Sequence, residues 1–120
     1  MARPSELIAV AVRNLAREVP ALDRLKLVIR LELRGRGDIQ VYRVRVPGPE
    51  ITKGEPDDAR VEVALSRADF NRLAEKGRLA DWREAYDTGH VRVMGDREIL
   101  RLLATVIERQ MARTRLKKAR

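Results

Sequence analysis

The feature that most constrains the fold of this chain lies within its N-terminal third, where apolar residues occupy alternate positions. Leucine or isoleucine occupies every second position, at Leu25, Leu27, Ile29, Leu31 and Leu33. This period of two is typical of a β-strand with one buried face. The glycines of Gly35-Arg36-Gly37-Asp38 then indicate a turn before a second strand, residues 39–46. The sequence therefore predicts a β-hairpin.

The second strand has an irregular pattern. Its apolar phase shifts between Val41 and Tyr42, which indicates either a β-bulge or burial on both faces. Pro47-Gly48-Pro49 ends it. We expect three further strands, at 50–53, 61–65 and 90–94.

Helical spacing predicts four helices, one before the first strand in the chain and three after the fourth strand. The first begins near Pro4 and Ser5 and ends at Pro20. A second is opened by Ser66 and reaches about residue 76, and a short third covers 82–87. Asp96 caps the last helix, which carries an apolar stripe made of Ile99, Leu102, Leu103, Val106, Ile107 and Met111.

This order of elements predicts an α+β fold, with one mainly antiparallel sheet and the helices on one face. The other face of the sheet should be polar and wet. A chain of 120 residues can bury one core but not two. We therefore expect a single domain over residues 1–108, followed by a basic C-terminal helix extension or tail over residues 109–120.

The positive charge is concentrated in that last segment. The formal net charge of the whole chain is +8. Without residues 109–120 the chain has 20 basic and 18 acidic residues, which leaves a net charge of +2. Such a segment can bind anions, either nucleic-acid phosphates or anionic lipid headgroups, or it can be a solvated helix end. The candidate anion-binding residues are Arg109, Arg113, Arg115, Lys117, Lys118 and Arg120.

The sequence contains no catalytic signature. It has no cysteine, which excludes disulfides, thiolate metal sites and cysteine nucleophiles. His90 is the only histidine and has no obvious nucleophile partner, and Asp57-Asp58 is best explained as a turn. We expect a binding protein without enzymatic activity, cofactor or metal. No apolar run approaches the roughly 20 residues of a bilayer helix, and the start of the chain lacks the layout of a secretory signal; a cytoplasmic location is expected.

Residues 58–110 contain a longer pattern of spaced residues. It consists of the stretch from Asp58 to Ser66, a helix ending at Gly77, and a set of residues before the last helix, namely Trp82, Ala85, Tyr86, Gly89, Val91, Val93, Gly95 and Asp96. In this pattern, residues 58–110 resemble the sterol carrier protein 2-like family. With the opening hairpin, the resemblance covers roughly residues 25–110. It implies a five-stranded α+β layer with a hydrophobic tunnel between sheet and helices, a tunnel associated with fatty acyl chains, sterols and other lipids.

The chain departs from the family in its last segment. The usual apolar C-terminal segment that helps to close the tunnel is replaced by the basic residues 109–120, and no peroxisomal tripeptide follows. A ligand cavity needs an aliphatic lining with few polar anchors, and the alternative is a core packed to ordinary density. The candidate ligand-binding residues are Val44, Phe70, Leu73, Trp82, Tyr86, Met94, Leu103, Ile107 and Met111.

Two other functions stay open. The apolar stripe of the last helix, continuing through Met111 to Leu116, could dock on a second copy of the chain or another protein, as in an assembly module. The basic segment could instead bind an anionic membrane. Nucleic acid is the less favoured partner, because the body carries little excess charge and shows no nucleic-acid-binding motif.

Overall fold

The computed structural model describes residues 3–118, which form four α-helices and five strands. The helices are α1 (Pro4–Glu18), α2 (Arg67–Lys76), α3 (Leu79–Asp87) and α4 (Arg97–Lys118), and a 3₁₀ turn covers Pro20–Arg24. The strands are β1 (Leu27–Arg34), β2 (Ile39–Val46), β3 (Glu50–Lys53), β4 (Val61–Ser66) and β5 (Arg92–Gly95). The predicted α+β class is confirmed.

The five strands form one sheet in the order β3-β2-β1-β4-β5. Three of its four strand pairs are antiparallel, and β1 pairs with β4 in parallel. The parallel pair arises because the chain crosses the sheet between β3, at one edge, and β4, on the far side of β1. The sheet is therefore mainly antiparallel, as predicted, with one parallel pair that the sequence pattern did not reveal.

The hydrophobic core lies between one face of the sheet and the first three helices. Leu31 and Leu33 of β1 face it, and so do Tyr42 and Val44 of the neighbouring strand β2, which are opposite Leu31 and Ile29. The helices contribute Ile8, Ala11, Phe70, Leu73, Ala74 and Ala85 to the same cluster. The alternation that predicted β1 is thus explained by burial of its odd-numbered residues.

The phase shift in β2 is explained by burial on both faces rather than by a bulge. Strand β2 pairs with β1 without interruption from Ile39 to Val46. Tyr42 and Val44 are buried against the helices, while Val41 and Arg43 on the outer face are half-buried. The bulge alternative is therefore wrong.

The outer face of the sheet is crossed by the segment that joins β3 to β4. Glu55 in this segment is paired with Arg30 of β1, and Asp58 with Arg43 of β2. Arg30 is also paired with Glu32, and these two side chains are only 18% and 12% exposed. The face is polar, as predicted, but ion pairs and the crossing segment partly cover it. Asp58 is therefore an ion-pair partner in addition to lying in a turn.

The helix ends follow local rules, with one correction. Ser66 Oγ accepts a hydrogen bond from Asp69 N at 3.0 Å, and Asp96 Oδ1 accepts one from Glu98 N at 2.9 Å, as expected for helix caps. Helix α3 begins at Leu79, three residues before the predicted start. Asp81 lies in its first turn, where its Oδ2 accepts from Arg78 N at 2.8 Å.

Helix α4 is the least integrated element. It follows β5 directly and is held beside α3 by an ion pair between Arg83 and Glu108. None of its described residues belongs to the core cluster, and its apolar stripe is half-buried at best. The helix continues without a break across residue 108 to Lys118, so the predicted boundary at 108 does not coincide with a helix end.

Candidate ligand-binding site

An open cleft of ≈ 430 Å³ lies between α1 and α2, beside the end of β1. Its volume is within the range of small-molecule sites. The lining residues come from three elements and are Pro4, Leu7, Leu33, Arg67, Phe70, Asn71 and Glu75. The sheet and two helices therefore form one concave surface.

The floor of this cleft is apolar because it is continuous with the core. Leu33 lies on the core face of β1 and Phe70 on the buried face of α2; they are 1% and 2% exposed. Leu7 of α1 is half-buried and packs against the same cluster. An apolar ligand in the cleft would contact side chains that are already fixed by close packing.

The rim of the cleft is charged and polar. Arg67, the first residue of α2, donates from Nη2 to Asp38 Oδ2 at 3.2 Å. Its Nε is buried and has no hydrogen-bond partner among the described residues, a condition that ordinarily costs about 1–3 kcal/mol. Asn71 and Glu75 are exposed further along α2. The cleft thus combines an apolar floor with a guanidinium at one end and a carboxylate at the other.

Four of the predicted ligand residues lie close together in the structure. They belong to the hydrophobic core or pack against it. Val44 and Leu73 are 2% and 1% exposed. Trp82 packs against the cluster and meets Phe70 edge to face, with ring centroids 6.4 Å apart. Only Phe70 of this group also borders the cleft.

Two other predicted residues lie away from the cleft and the core. Met94 is opposite Glu62 in the sheet, whereas its neighbour Val93 is opposite the core-facing Val63. Met94 therefore lies on the outer face, where it is 55% exposed. Tyr86 of α3 is 50% exposed and is not among the core residues. Both side chains therefore lie outside the cleft, and their predicted role in ligand binding stays a prediction.

The predicted residues of α4 form a separate group. Leu103, Ile107 and Met111 are half-buried, and they are neither in the core cluster nor packed against it. Their spacing places them on one side of the helix. They do not border the cleft between α1 and α2.

The basic segment occupies the last turns of α4. Arg109, Arg113, Arg115 and Lys117 are exposed, and none of them forms an ion pair within residues 3–118. Lys118 is the last helical residue, and its side chain lies outside the described part, as does Arg120. As far as Lys118, the segment is a helix extension.

Six lining residues were not predicted: Pro4, Leu7, Leu33, Arg67, Asn71 and Glu75. For Arg67 a local signal existed. A cation in the first turn of a helix opposes the helix dipole, so an arginine directly after the cap residue Ser66 is locally unfavourable and suggests another role. Nothing local indicates the others, because the cleft forms only when α1 packs beside α2.

The perturbed ionisable groups lie outside the cleft. Hydrogen bonds from Arg34 and Arg30 lower the pKa of Glu32, and a hydrogen bond from Arg30 lowers the pKa of Glu55. On the same outer face, Arg43 lowers the pKa of Asp58. The lowered pKa values of Glu55 and Asp58 result from ion pairs that hold the crossing segment on the sheet, and that of Glu32 results from ion pairs within β1. They do not indicate acid–base catalysis.

Among the described residues, no group of three or more His, Asp or Glu side chains is arranged to hold a metal ion. His90 is exposed, with Nδ1 at 2.8 Å from Thr88 Oγ1. None of the helices within residues 3–118 combines the length and the hydropathy that crossing a bilayer requires.

No family model and no curated protein sequence matches the chain, but several solved structures do. Palmitated sterol carrier protein 2-like 2 from Aedes aegypti is 21% identical, with a TM-score of 0.57 over 82% of this chain and 91% of that one. Sterol carrier protein domain 2 of Helicoverpa armigera is 11% identical, with a TM-score of 0.62 over 91% and 92% of the two chains.

A third match lies in a much larger protein. The sec-alkylsulfatase of a Pseudomonas species is 16% identical and has a TM-score of 0.53; the match covers 82% of this chain and 14% of that one. At these identities the matches establish the fold. The chain has the sterol carrier protein 2-like fold, which the resemblance in residues 25–110 implied.

Proposed function

We propose that this chain, which has the sterol carrier protein 2-like fold, binds a lipid-like or other apolar small molecule without catalysing a reaction on it. The observation that carries the proposal is the cleft between α1 and α2, whose floor is formed by Leu33 and Phe70. A structural neighbour that was solved in palmitated form supports a ligand with an acyl chain.

The energetics of such binding favour a chain-shaped ligand. Each buried methylene contributes about 0.8 kcal/mol, so ten buried methylenes contribute about 8 kcal/mol before the costs of immobilisation. Since a net −8.2 kcal/mol corresponds to a micromolar Kd, we expect affinities weaker than micromolar for short chains and approaching it for longer ones.

The test is displacement of a fluorescent fatty acid, together with native mass spectrometry in the presence of dodecanoate. The variant Leu7→Trp should fill the cleft and abolish displacement. Ile39→Trp is the matched control, because Ile39 is 61% exposed and does not line the cleft. Absence of probe binding at protein concentrations well above micromolar would overturn the proposal.

The predicted α4 residues define an alternative location for the ligand. Leu103, Ile107 and Met111 present half-buried apolar surface that a ligand could cover. The variant Ile107→Trp separates the two locations. Loss of probe binding in Ile107→Trp with retention in Leu7→Trp would place the ligand at α4, and the reverse would place it in the cleft.

A second candidate function is binding of an anionic membrane surface by the basic end of α4. It is favoured by four exposed cations beside the exposed Leu116, a combination typical of interfacial helices. Binding to vesicles containing phosphatidylglycerol should exceed binding to phosphatidylcholine alone and should fall with added salt. Arg113→Gln with Arg115→Gln should weaken it, whereas Arg17→Gln with Arg36→Gln should not. Salt-independent binding would rule this function out.

A further inference from the structure

Arg67 has unused hydrogen-bonding capacity at the end of an apolar cleft. An arginine side chain has five N–H donors, and the structure shows one hydrogen bond for this guanidinium, from Nη2 to Asp38. Its Nε is buried without a partner among the described residues. The rest of the guanidinium is accessible, because the side chain is 37% exposed and only one of its Nη N–H groups is used within the described residues. A carboxylate or phosphate oxygen is the strongest acceptor for the remaining Nη donors.

The guanidinium is also held in place. It lies against the turn between β1 and β2, where Gly35 N donates to the Asp38 carbonyl oxygen at 2.9 Å. A Cβ on Gly35 would be 2.5 Å from Asp38 Oδ1 and 3.6 Å from Arg67 Cζ. The absence of a side chain at Gly35 therefore leaves space for the Asp38 carboxylate and for the guanidinium above it. A charge that is fixed before the ligand arrives loses less entropy on binding.

The charges along the cleft favour one orientation of the ligand. Arg67 and Glu75 both line it and are eight residues apart on α2, which corresponds to about 12 Å along the helix. An anionic group near Glu75 would be repelled, and one near Arg67 attracted. The apolar part of the ligand then lies on Leu7, Leu33 and Phe70.

We propose that Arg67 selects amphiphiles with an anionic headgroup, by donating from its accessible Nη groups to a carboxylate or phosphate oxygen while the chain lies on the apolar floor of the cleft. This inference rests on the proposed function and adds to it the polarity of the ligand, its orientation and the residue that recognises the headgroup.

The test compares dodecanoate, dodecyl phosphate and dodecanol, which share one chain length and differ in their headgroups. Calorimetry on the full chain should give the wild type at least a tenfold preference for an anionic ligand over dodecanol, and the two anions distinguish a carboxylate site from a phosphate site. Arg67→Gln should lose about tenfold in affinity for the preferred anion and keep its affinity for dodecanol. Arg72→Gln is the matched control, because Arg72 lies on the same helix, is 64% exposed and does not line the cleft.

A second variant guards against a folding defect in Arg67→Gln. Asp38→Asn removes the negative charge beside the guanidinium and should tighten binding of the anionic ligand without changing that of dodecanol. Equal affinity of the wild type for anions and dodecanol, or no effect of either variant, would overturn the role of Arg67 while leaving the proposed function intact. If none of the three ligands binds, the proposed function itself fails, and the role of Arg67 with it.

Discussion

Asp58 and Arg43 form a bidentate ion pair across the outer face of the sheet. Arg43 Nε donates to Asp58 Oδ1 at 3.0 Å and Nη2 donates to Oδ2 at 2.7 Å. Asp58 lies in the segment that connects β3 to β4, and Arg43 lies at the middle of β2. Together with the Glu55–Arg30 pair, this contact fixes the path of the chain from one edge of the sheet to the strand beyond β1.

The ion pair predicts a specific acid sensitivity. The hydrogen bonds from Arg43 lower the pKa of Asp58 below its ordinary value of 3.8. Because the folded state then holds fewer protons than the unfolded state, the stabilisation is present above that value and is lost as the pH falls through the lower folded-state pKa. Urea unfolding followed from pH 7 to pH 2 should show a smaller acid-induced loss of stability in Asp58→Asn than in the wild type.

The neighbouring Asp57 is the control for this experiment, because it is exposed and makes no side-chain hydrogen bond within residues 3–118. Asp57→Asn should follow the wild-type pH profile closely. Identical profiles for wild type and Asp58→Asn would contradict a stabilising role of the pair.

A second prediction concerns the contact between the end of α1 and the start of α3. Glu18 Oε2 accepts a hydrogen bond from Leu79 N at 2.7 Å, so the last residue of α1 caps α3 from a distance of 61 positions in sequence. Glu18→Ala should lower the free energy of unfolding by about 1 kcal/mol, the usual effect of losing a helix cap. Glu18→Gln, which keeps an acceptor oxygen, should lose less. Urea denaturation checks the order, and equal losses in both variants would mean that the charge rather than the hydrogen bond matters.

A third prediction concerns the unequal packing of the helices. Leu73 of α2 is 1% exposed within the core, so Leu73→Ala should cost about 2–5 kcal/mol of unfolding free energy. Ile107 of α4 is half-buried and outside the core cluster. Ile107→Ala should therefore cost about 1 kcal/mol or less. Similar losses for the two variants in denaturant titrations would show that α4 packs as tightly as α2.

A fourth prediction concerns Gly95, the last residue of β5. Its φ is +148°, and a Cβ there would lie 2.3 Å from the Arg60 carbonyl oxygen and 2.9 Å from Val61 Cα. Since both neighbours are backbone atoms that cannot move aside, Gly95→Ala should cost more than about 2 kcal/mol. Gly37 has a φ of +73°, and a Cβ added there would have no other atom within 4 Å. Gly37→Ala should cost only about 1 kcal/mol, from the conformation alone. Thermal unfolding of both variants tests the difference.

Part of the candidate site could be predicted from sequence and part could not. Phe70 was predicted and borders the cleft, because its place on the buried face of α2 follows from helical spacing. Met94 was predicted as a ligand-binding residue and lies on the outer face of the sheet, a placement that the alternation turning Val93 towards the core already implies. Arg67 was missed: its place directly after the cap residue was a local signal, but its contact with Asp38, 29 positions earlier in the chain, could not be read from sequence.

By itself, the sequence determined the hairpin, the caps at Ser66 and Asp96, and the α+β class. These features depend on periodicity and on residues a few positions apart, so local stereochemistry is sufficient to specify them. Only the tertiary structure decided the parallel pairing of β1 with β4, the cleft between α1 and α2, and the burial of Arg67 Nε. Each of these arises where elements distant in the chain pack together, and no short-range pattern records which surfaces will meet.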